Sequence, residues 1–200
     1  MATKTPTKIR NTVQSKYSLI PLLQSPSQTS TNLTGLPRVA KDIAADIYNT
    51  IQKWNDSHIQ GAAIVKKIIN LKYDRGRKYT EDLEKFIEEL EEIVHRLSLQ
   101  ANSLTFLSKQ ISSLSRLHHQ HRLFITLSAT ELSNSVDAVA KAYQLELKVK
   151  KYVLENIGHS RTETEAMFHG ACWVHQQYIT NKINVLLEMI LTETGHRQIY

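Results

Sequence analysis

Leu83, Leu90, Leu97, Leu104 and Ile111 are spaced by seven residues, and Phe86, Ile93, Gln100, Leu107 and Leu114 follow the same spacing three places on. Nine of these ten positions are apolar, a sustained a/d heptad over five repeats. No β-strand carries that period. The stretch must be one long helix whose apolar seam closes on other helices, from this chain or from a partner. Thr80 is placed to cap it, with Glu81 and Asp82 in the first turn where the helix dipole favours acids. An unbroken helix from 80 to 121 would be roughly 63 Å long at about 1.5 Å per residue. A compact domain of this size is only about 40 Å across. The sequence therefore predicts an elongated helical body.

Proline placement extends the argument. All four prolines, Pro6, Pro21, Pro26 and Pro37, lie within residues 1–37 of the chain. Proline inside a helix costs about 3 kcal/mol, so the proline-free remainder reads as mostly helical. Val39, Ile43, Ile47, Ile51 and Trp54 mark a first amphipathic helix after Pro37, and the pattern resumes beyond Gly61, which breaks or weakens it. Tyr73 to Lys78 reads as a polar connection. Ser128 and Glu131 form a capping box for a third helix, carried by Leu132, Val136, Val139, Tyr143, Leu147, either Val153 or Leu154, and Ile157, and closed at Gly158. Ser160 and Glu163 form a second box, opening a fourth helix with Met167, Trp173, Val174, Tyr178, Ile183, either Leu186 or Leu187, and Ile190, which ends at Thr194-Gly195. The fold class is all-α: an elongated bundle or antiparallel coiled-coil hairpins of about four long helices over residues 37–200, with the heptad at about 80–121.

Residues 1–36 form a different region. They hold Lys4, Lys8, Arg10 and Lys16, no acid, and many Ser, Thr and Gln, without helical or strand period. Such a segment cannot bury enough surface to offset its ordering entropy, so it is expected to be a disordered basic tail. Its composition also fits a mitochondrial transit peptide. Thr5-Pro6-Thr7-Lys8 has the form that proline-directed cyclin-dependent kinases prefer, Ser25-Pro26 is a shorter version, and Ser27-Gln28 has the form favoured by checkpoint kinases. Thr5, Ser25 and Ser27 are thus the candidate phosphorylation sites, although such dipeptides are common by chance in hydroxyl-rich tails.

Composition narrows the function classes. One cysteine, Cys172, permits neither an intrachain disulfide nor a thiolate zinc site, and points to a cytosolic or nuclear compartment. No apolar run reaches the roughly 18 residues of a membrane span, and the N-terminus has no apolar signal core. Six scattered glycines make no phosphate loop or dinucleotide fingerprint, and neither a GxSxG elbow nor a kinase motif set is present. His169, Cys172 and His175 are spaced by three, but the outer two diverge by about 120° around a helix, and His118, His119 and His121 cannot all face one metal. No catalytic, cofactor or metal residues are expected. Charge is segregated: residues 1–37 carry +4, 38–79 carry +5, 80–94 carry −6 and 95–128 carry +4. The acidic block suits the helix dipole and would also dock a basic partner. The basic flanks leave direct nucleic-acid contact open, though no aromatic residues interleave them.

Several segments resemble one family. Arg38-Val39-Ala40-Lys41-Asp42-Ile43-Ala44-Ala45-Asp46 with Lys53-Trp54 resembles the first helix of the cyclin-dependent kinase 2-interacting protein family. YTEDLEKFIEEL at 79–90 is similar to its central coiled coil. Trp173-Val174-His175-Gln176-Gln177-Tyr178 and the ending Leu191-Thr192-Glu193-Thr194-Gly195-His196-Arg197 are similar to its C-terminal signatures. The correspondence covers roughly residues 38–200 and is poor between His118 and Thr130. Gln177 stands where the animal pattern has proline, which removes a kink after His175. The resemblance implies a non-enzymatic adaptor with protein partners: a second small helical subunit, an AAA+ ATPase assembly acting in large ribosomal subunit maturation and replication, and cyclin-dependent kinase and checkpoint proteins. It implies a nuclear or cytoplasmic setting. Trp54, Trp173, His175, Tyr178, Glu193, His196 and Arg197 are the candidate partner-docking residues. The last three are read as a cap whose charges sit in water, as a docking tip in which Arg197 bonds a partner carboxylate or Glu193 itself, or as a lock against Trp173 and Tyr178. The rival class is a basic protein that binds nucleic acid or ribosome precursors directly.

Overall fold

The computed structural model describes residues 35–75, 80–117, 124 and 126–197, and they fold into five helices: α1 (Leu36–Arg75), α2 (Glu81–Leu117), α3 (Ala129–Ile157), α4 (Glu163–Val174) and α5 (Asn181–Glu193). The tail with Thr5, Ser25 and Ser27, and the cluster His118, His119 and His121, lie outside the described residues.

The chain runs up and down. Gln100 of α2 donates to Ser57 Oγ at 3.1 Å and Arg96 to Gln60 Oε1 at 2.8 Å, so α2 returns antiparallel to α1. Gln144 of α3 reaches Thr105 Oγ1 of α2 at 3.0 Å, near the opposite end from where Gly158 meets Ile87, so α3 reverses again. α4 then lies on α1 and α3, and α5 on α3 and α1. The result is a four-helix bundle whose fourth member is broken in two. With 40 residues in α1 and 37 in α2, the two longest helices extend far beyond the width of the bundle, which is therefore elongated.

The heptad seam is closed within the chain. Leu83, Leu90, Leu97, Leu104, Leu107, Ile111 and Ile93 are buried, and Phe86 and Leu114 pack at its edges. The Thr80 hydroxyl accepts the Leu83 N–H at 3.3 Å, as an N-cap should. The Ser128–Glu131 capping box forms in full. At the C-terminal end of α5, Gly195 adopts φ +74°. There His196 N–H bonds Leu191 O at 2.8 Å and Gly195 N–H bonds Thr192 O at 3.0 Å. This is a Schellman turn on the residue type that makes it without strain.

Four local expectations change. Gly61 does not interrupt α1. The burial of Ile64, Val65 and Ile68 beyond it outweighs the roughly 1 kcal/mol propensity deficit of one glycine. Residues 73–75 continue that helix instead of opening a connection. The cap of α4 is Thr162, whose hydroxyl accepts from Glu165 N–H at 3.2 Å, whereas the expected cap Ser160 turns inward to His169. Most consequentially, the predicted fourth long helix stops at Val174 and restarts at Asn181, so there are five helices among the described residues and not four. The break needs no proline at 177. Gln176 is drawn into the core to accept the Trp54 indole N–H at 2.8 Å, and Tyr178 N–H is taken by the Glu146 carboxylate at 3.1 Å.

Candidate partner surface and the buried network behind it

Trp173 anchors α4. Its indole is fully buried, and its N–H donates to the backbone carbonyl of His58 at 3.1 Å. The ring stacks on the His58 imidazole, with centroids 6.3 Å apart and planes 8° from parallel. α1 and α4 approach this closely because Gly61 and Gly170 face each other's helices without side chains. A β-carbon at Gly170 would lie 2.5 Å from Ile69 Cδ1.

Beneath the indole lies an ion pair with no solvent exposure. Lys150 Nζ is 2.9 Å from Glu146 Oε1, donates to the carbonyl of Trp173, and sits 5.2 Å above the Trp173 ring. Glu146 uses its other oxygen on Tyr178 N–H. The pair therefore satisfies a carbonyl at the C-terminal end of α4 and an amide of the following turn, backbone groups that helix geometry leaves without partners. Trp54 completes the cluster, edge-on to Tyr143 at 5.1 Å and hydrogen-bonded to Gln176. Burial lowers the Lys150 pKa, opposed by the adjacent Glu146 charge. Burial, followed by the charge of Lys150, pushes His58 down to about 3, so this imidazole is neutral.

The other side of α4 is unlike a normal solvent face. Met167, Phe168 and Val174 are 54%, 57% and 59% exposed on a helix of 12 residues. Tyr152 of α3 extends the surface: its ring lies 5.8 Å from that of His169, which in turn lies 5.7 Å from that of Phe168. Tyr178 is also exposed. A helix apolar on both faces is ordinarily covered on both. Here the inner face is held by the Trp173 network and the outer face is presented.

The docking residues read from sequence separate into three places. Trp54 and Trp173 are entirely internal and offer a partner no surface, because each indole finds its hydrogen-bond acceptor within the chain. His175 and Tyr178 are exposed beside the apolar face. Glu193, His196 and Arg197 form a lock, but not against Trp173 and Tyr178. Glu193 accepts from Thr126 Oγ1, from Thr126 N at 3.1 Å and from Leu127 N at 3.4 Å. Partial burial opposes its ionisation, yet these bonds prevail and hold the carboxyl below its usual range. His196 Nε2 lies 2.9 Å from Lys41 O. Arg197 bonds Glu188 at 3.2 Å and covers the Tyr48 ring at 5.0 Å, so its carboxylate partner is Glu188 and not Glu193. Among the described residues no three His, Cys, Asp or Glu side chains gather as a metal site. His169 Nδ1 instead shares a hydrogen bond with Ser160 Oγ at 3.0 Å.

Sequence reasoning passed over His58, Glu146, Lys150 and Gln176. A signal for two of them was present. Tyr143, Glu146, Lys150, Val153 and Ile157 follow three- and four-residue steps, so two charged residues occupy consecutive positions of the apolar seam of α3.

No family model matches the chain. Curated relatives do, and all carry the name cyclin-dependent kinase 2-interacting protein. The Xenopus laevis protein is 28% identical over 196 residues, covering 84% of this chain and 93% of that protein. The Bos taurus and Homo sapiens proteins are each 27% identical over 190 residues, covering 80% of this chain and 90% of theirs. Over most of its length, and over nearly the whole of theirs, the chain is similar to the cyclin-dependent kinase 2-interacting proteins.

Proposed function

We infer that this chain is a non-catalytic helical adaptor that binds a cyclin-dependent kinase through the outward face of α4. The observation that carries the reading is the doubly apolar character of α4, clamped from behind by Trp173 and Lys150 while Met167, Phe168 and Val174 face outward. Apolar side chains clustered at this density mark interaction sites more often than they mark ordinary surface. The relatives are named for their interaction with cyclin-dependent kinase 2, which supports a kinase as the partner. The family resemblance adds the wider setting: a subunit that works beside a second small helical protein on an AAA+ ATPase assembly in large ribosomal subunit maturation, replication and checkpoint signalling, in the nucleus or cytoplasm.

The test is a binding titration of the full chain against a purified kinase–cyclin complex. Met167→Ser with Val174→Ser removes exposed apolar surface, so the melting temperature should hold while the affinity falls at least tenfold, since burying each such side chain is worth about 1.5–3 kcal/mol. An unchanged affinity in the double variant would reject α4 as the docking face.

A further inference from the structure

A second exposed strip lies on the opposite side of the core from α4. On α2, Glu88, Glu92, His95, Leu99, Asn102 and Phe106 follow one another at steps of four and three residues and line the outer side of the helix. One outer stripe thus changes character along its length. Its N-terminal half is acidic, with Glu81 and Glu84 continuing it and Glu91 beside it. Its C-terminal half presents Leu99 at 54% and Phe106 at 61% exposure. Next to Leu99 and Phe106 a groove of about 580 Å³ opens between α1 and α2, floored by Asp46, Thr50, Lys53 and Ser103. A second hollow of about 650 Å³ is bounded by Glu88, Glu91, Glu92, His95 and Arg96.

Residues 1–34 carry the complementary order. Tyr17-Ser18-Leu19-Ile20-Pro21-Leu22-Leu23 concentrates apolar side chains, and the segment before it carries Lys4, Lys8, Arg10 and Lys16 with no acid. This segment joins the fold at Leu36, beside the C-terminal end of α2, because α1 and α2 are antiparallel. Read backwards from Leu36, the chain offers apolar residues first and basic residues second. Read from the same end, α2 offers Phe106 and Leu99 first and Glu92, Glu88, Glu84 and Glu81 second. The lengths agree. Thr50 lies about 21 Å along α1 from Leu36, and the chain from Ser18 to Gly35 spans up to about 56 Å. The Glu88 level lies about 48 Å away, within the roughly 80 Å available to Arg10.

We propose that the α1–α2 groove is the seat of this chain's own N-terminal segment, with residues 17–23 over Leu99 and Phe106 and residues 4–16 over the acidic half of α2. The proposal is independent of the kinase reading, which concerns α4. It gives Thr5 a physical role. A phosphate there adds a charge of about −1.5 to −2 opposite Glu88 and Glu92 and loosens the seat.

The experiment uses the full chain with Cys172→Ser, carrying a nitroxide at Ser18→Cys or at Thr7→Cys, and reads the broadening of backbone amide signals. The Ser18 label should broaden Leu99, Ser103 and Phe106 selectively, and Leu99→Ser with Phe106→Ser should reduce that broadening severalfold with the melt unchanged. The Thr7 label should broaden Glu88 and Glu92, and only this effect should fade as salt rises, because exposed charge pairs are screened within about 10 Å at roughly 0.1 M salt. Broadening spread evenly over the surface, or centred on Met167 and Val174, would overturn the proposal. So would broadening that persists when labelled unenriched chain is mixed with unlabelled enriched chain, since it would place another copy's segment in the groove.

Discussion

Trp173 lies on Gly61 so closely that a β-carbon at residue 61 would fall 2.1 Å from the indole ring. One hydrogen atom therefore sets the distance between α1 and α4. Gly61→Ala tests two opposed effects. Alanine gains about 1 kcal/mol of helix propensity, while overpacking a filled core costs about 1–3 kcal/mol and occasionally more. At 2.1 Å the overlap is severe, and the ring is hydrogen-bonded in place, so packing wins. Denaturant unfolding should show a net loss of about 2 kcal/mol, the overpacking cost less the propensity gain. A stabilised variant would mean that α4 is free to move off α1.

Lys150 and Glu146 should behave as a unit. Removing one partner of a buried ion pair leaves an uncompensated charge, worth about 3–5 kcal/mol. Lys150→Met should lose that much, measured by chemical denaturation. Adding Glu146→Gln should restore part of it, because the remaining charge is gone and the amide oxygen still accepts from Tyr178 N–H. If the double variant is less stable than Lys150→Met alone, the pair is not coupled as the geometry requires.

The pH dependence follows from His58. Its folded pKa, about 3, lies below the unfolded 6.5, so the unfolded chain binds the extra proton between those values. The stability from keeping this ring neutral is complete above the unfolded value and is lost as pH falls from there towards the folded one, at up to about 1.4 kcal/mol per unit. His169 is shifted the same way by burial, opposed by Glu165, and adds to the slope. Unfolding free energies at about pH 7.5 and about pH 5 should differ by about 2 kcal/mol in the parent chain and by less in His58→Gln. An equal pH slope in both proteins would remove His58 from the account.

At the C-terminus the two charged residues should differ in weight. Glu193 accepts three hydrogen bonds from the segment before α3, and Glu193→Ala leaves the Thr126 and Leu127 amides without their acceptor. A loss of about 1–3 kcal/mol is expected. Arg197 makes one half-exposed pair and one aromatic contact, so Arg197→Ala should lose about 1 kcal/mol or less. Thermal melts of both variants check the ranking, and a larger effect from Arg197 would reverse it.

Much of the architecture was legible in the order of residues alone. The seven-residue spacing of Leu83, Leu90, Leu97 and Leu104 required a long helix with a buried seam, since no other backbone period brings those side chains to one side. Ser128 with Glu131 and Thr194 with Gly195 marked helix ends, because caps are local chemistry satisfied by neighbours in sequence. The partner of the seam was not legible: periodicity states that a face will be covered but not by what. Likewise the break at 175–180 has no local signature. It exists because Gln176 and Tyr178 find better partners in Trp54 and Glu146, 122 and 32 residues away, than a continuing helix would give them. Periodicity set Trp54 and Trp173 on the apolar faces of their helices, while the family resemblance made them docking candidates, and sequence order does not say which helix covers a tryptophan. Only the packing of α1 on α4, made possible by Gly61 and Gly170, turned both indoles inward and left Met167, Phe168 and Val174 outside.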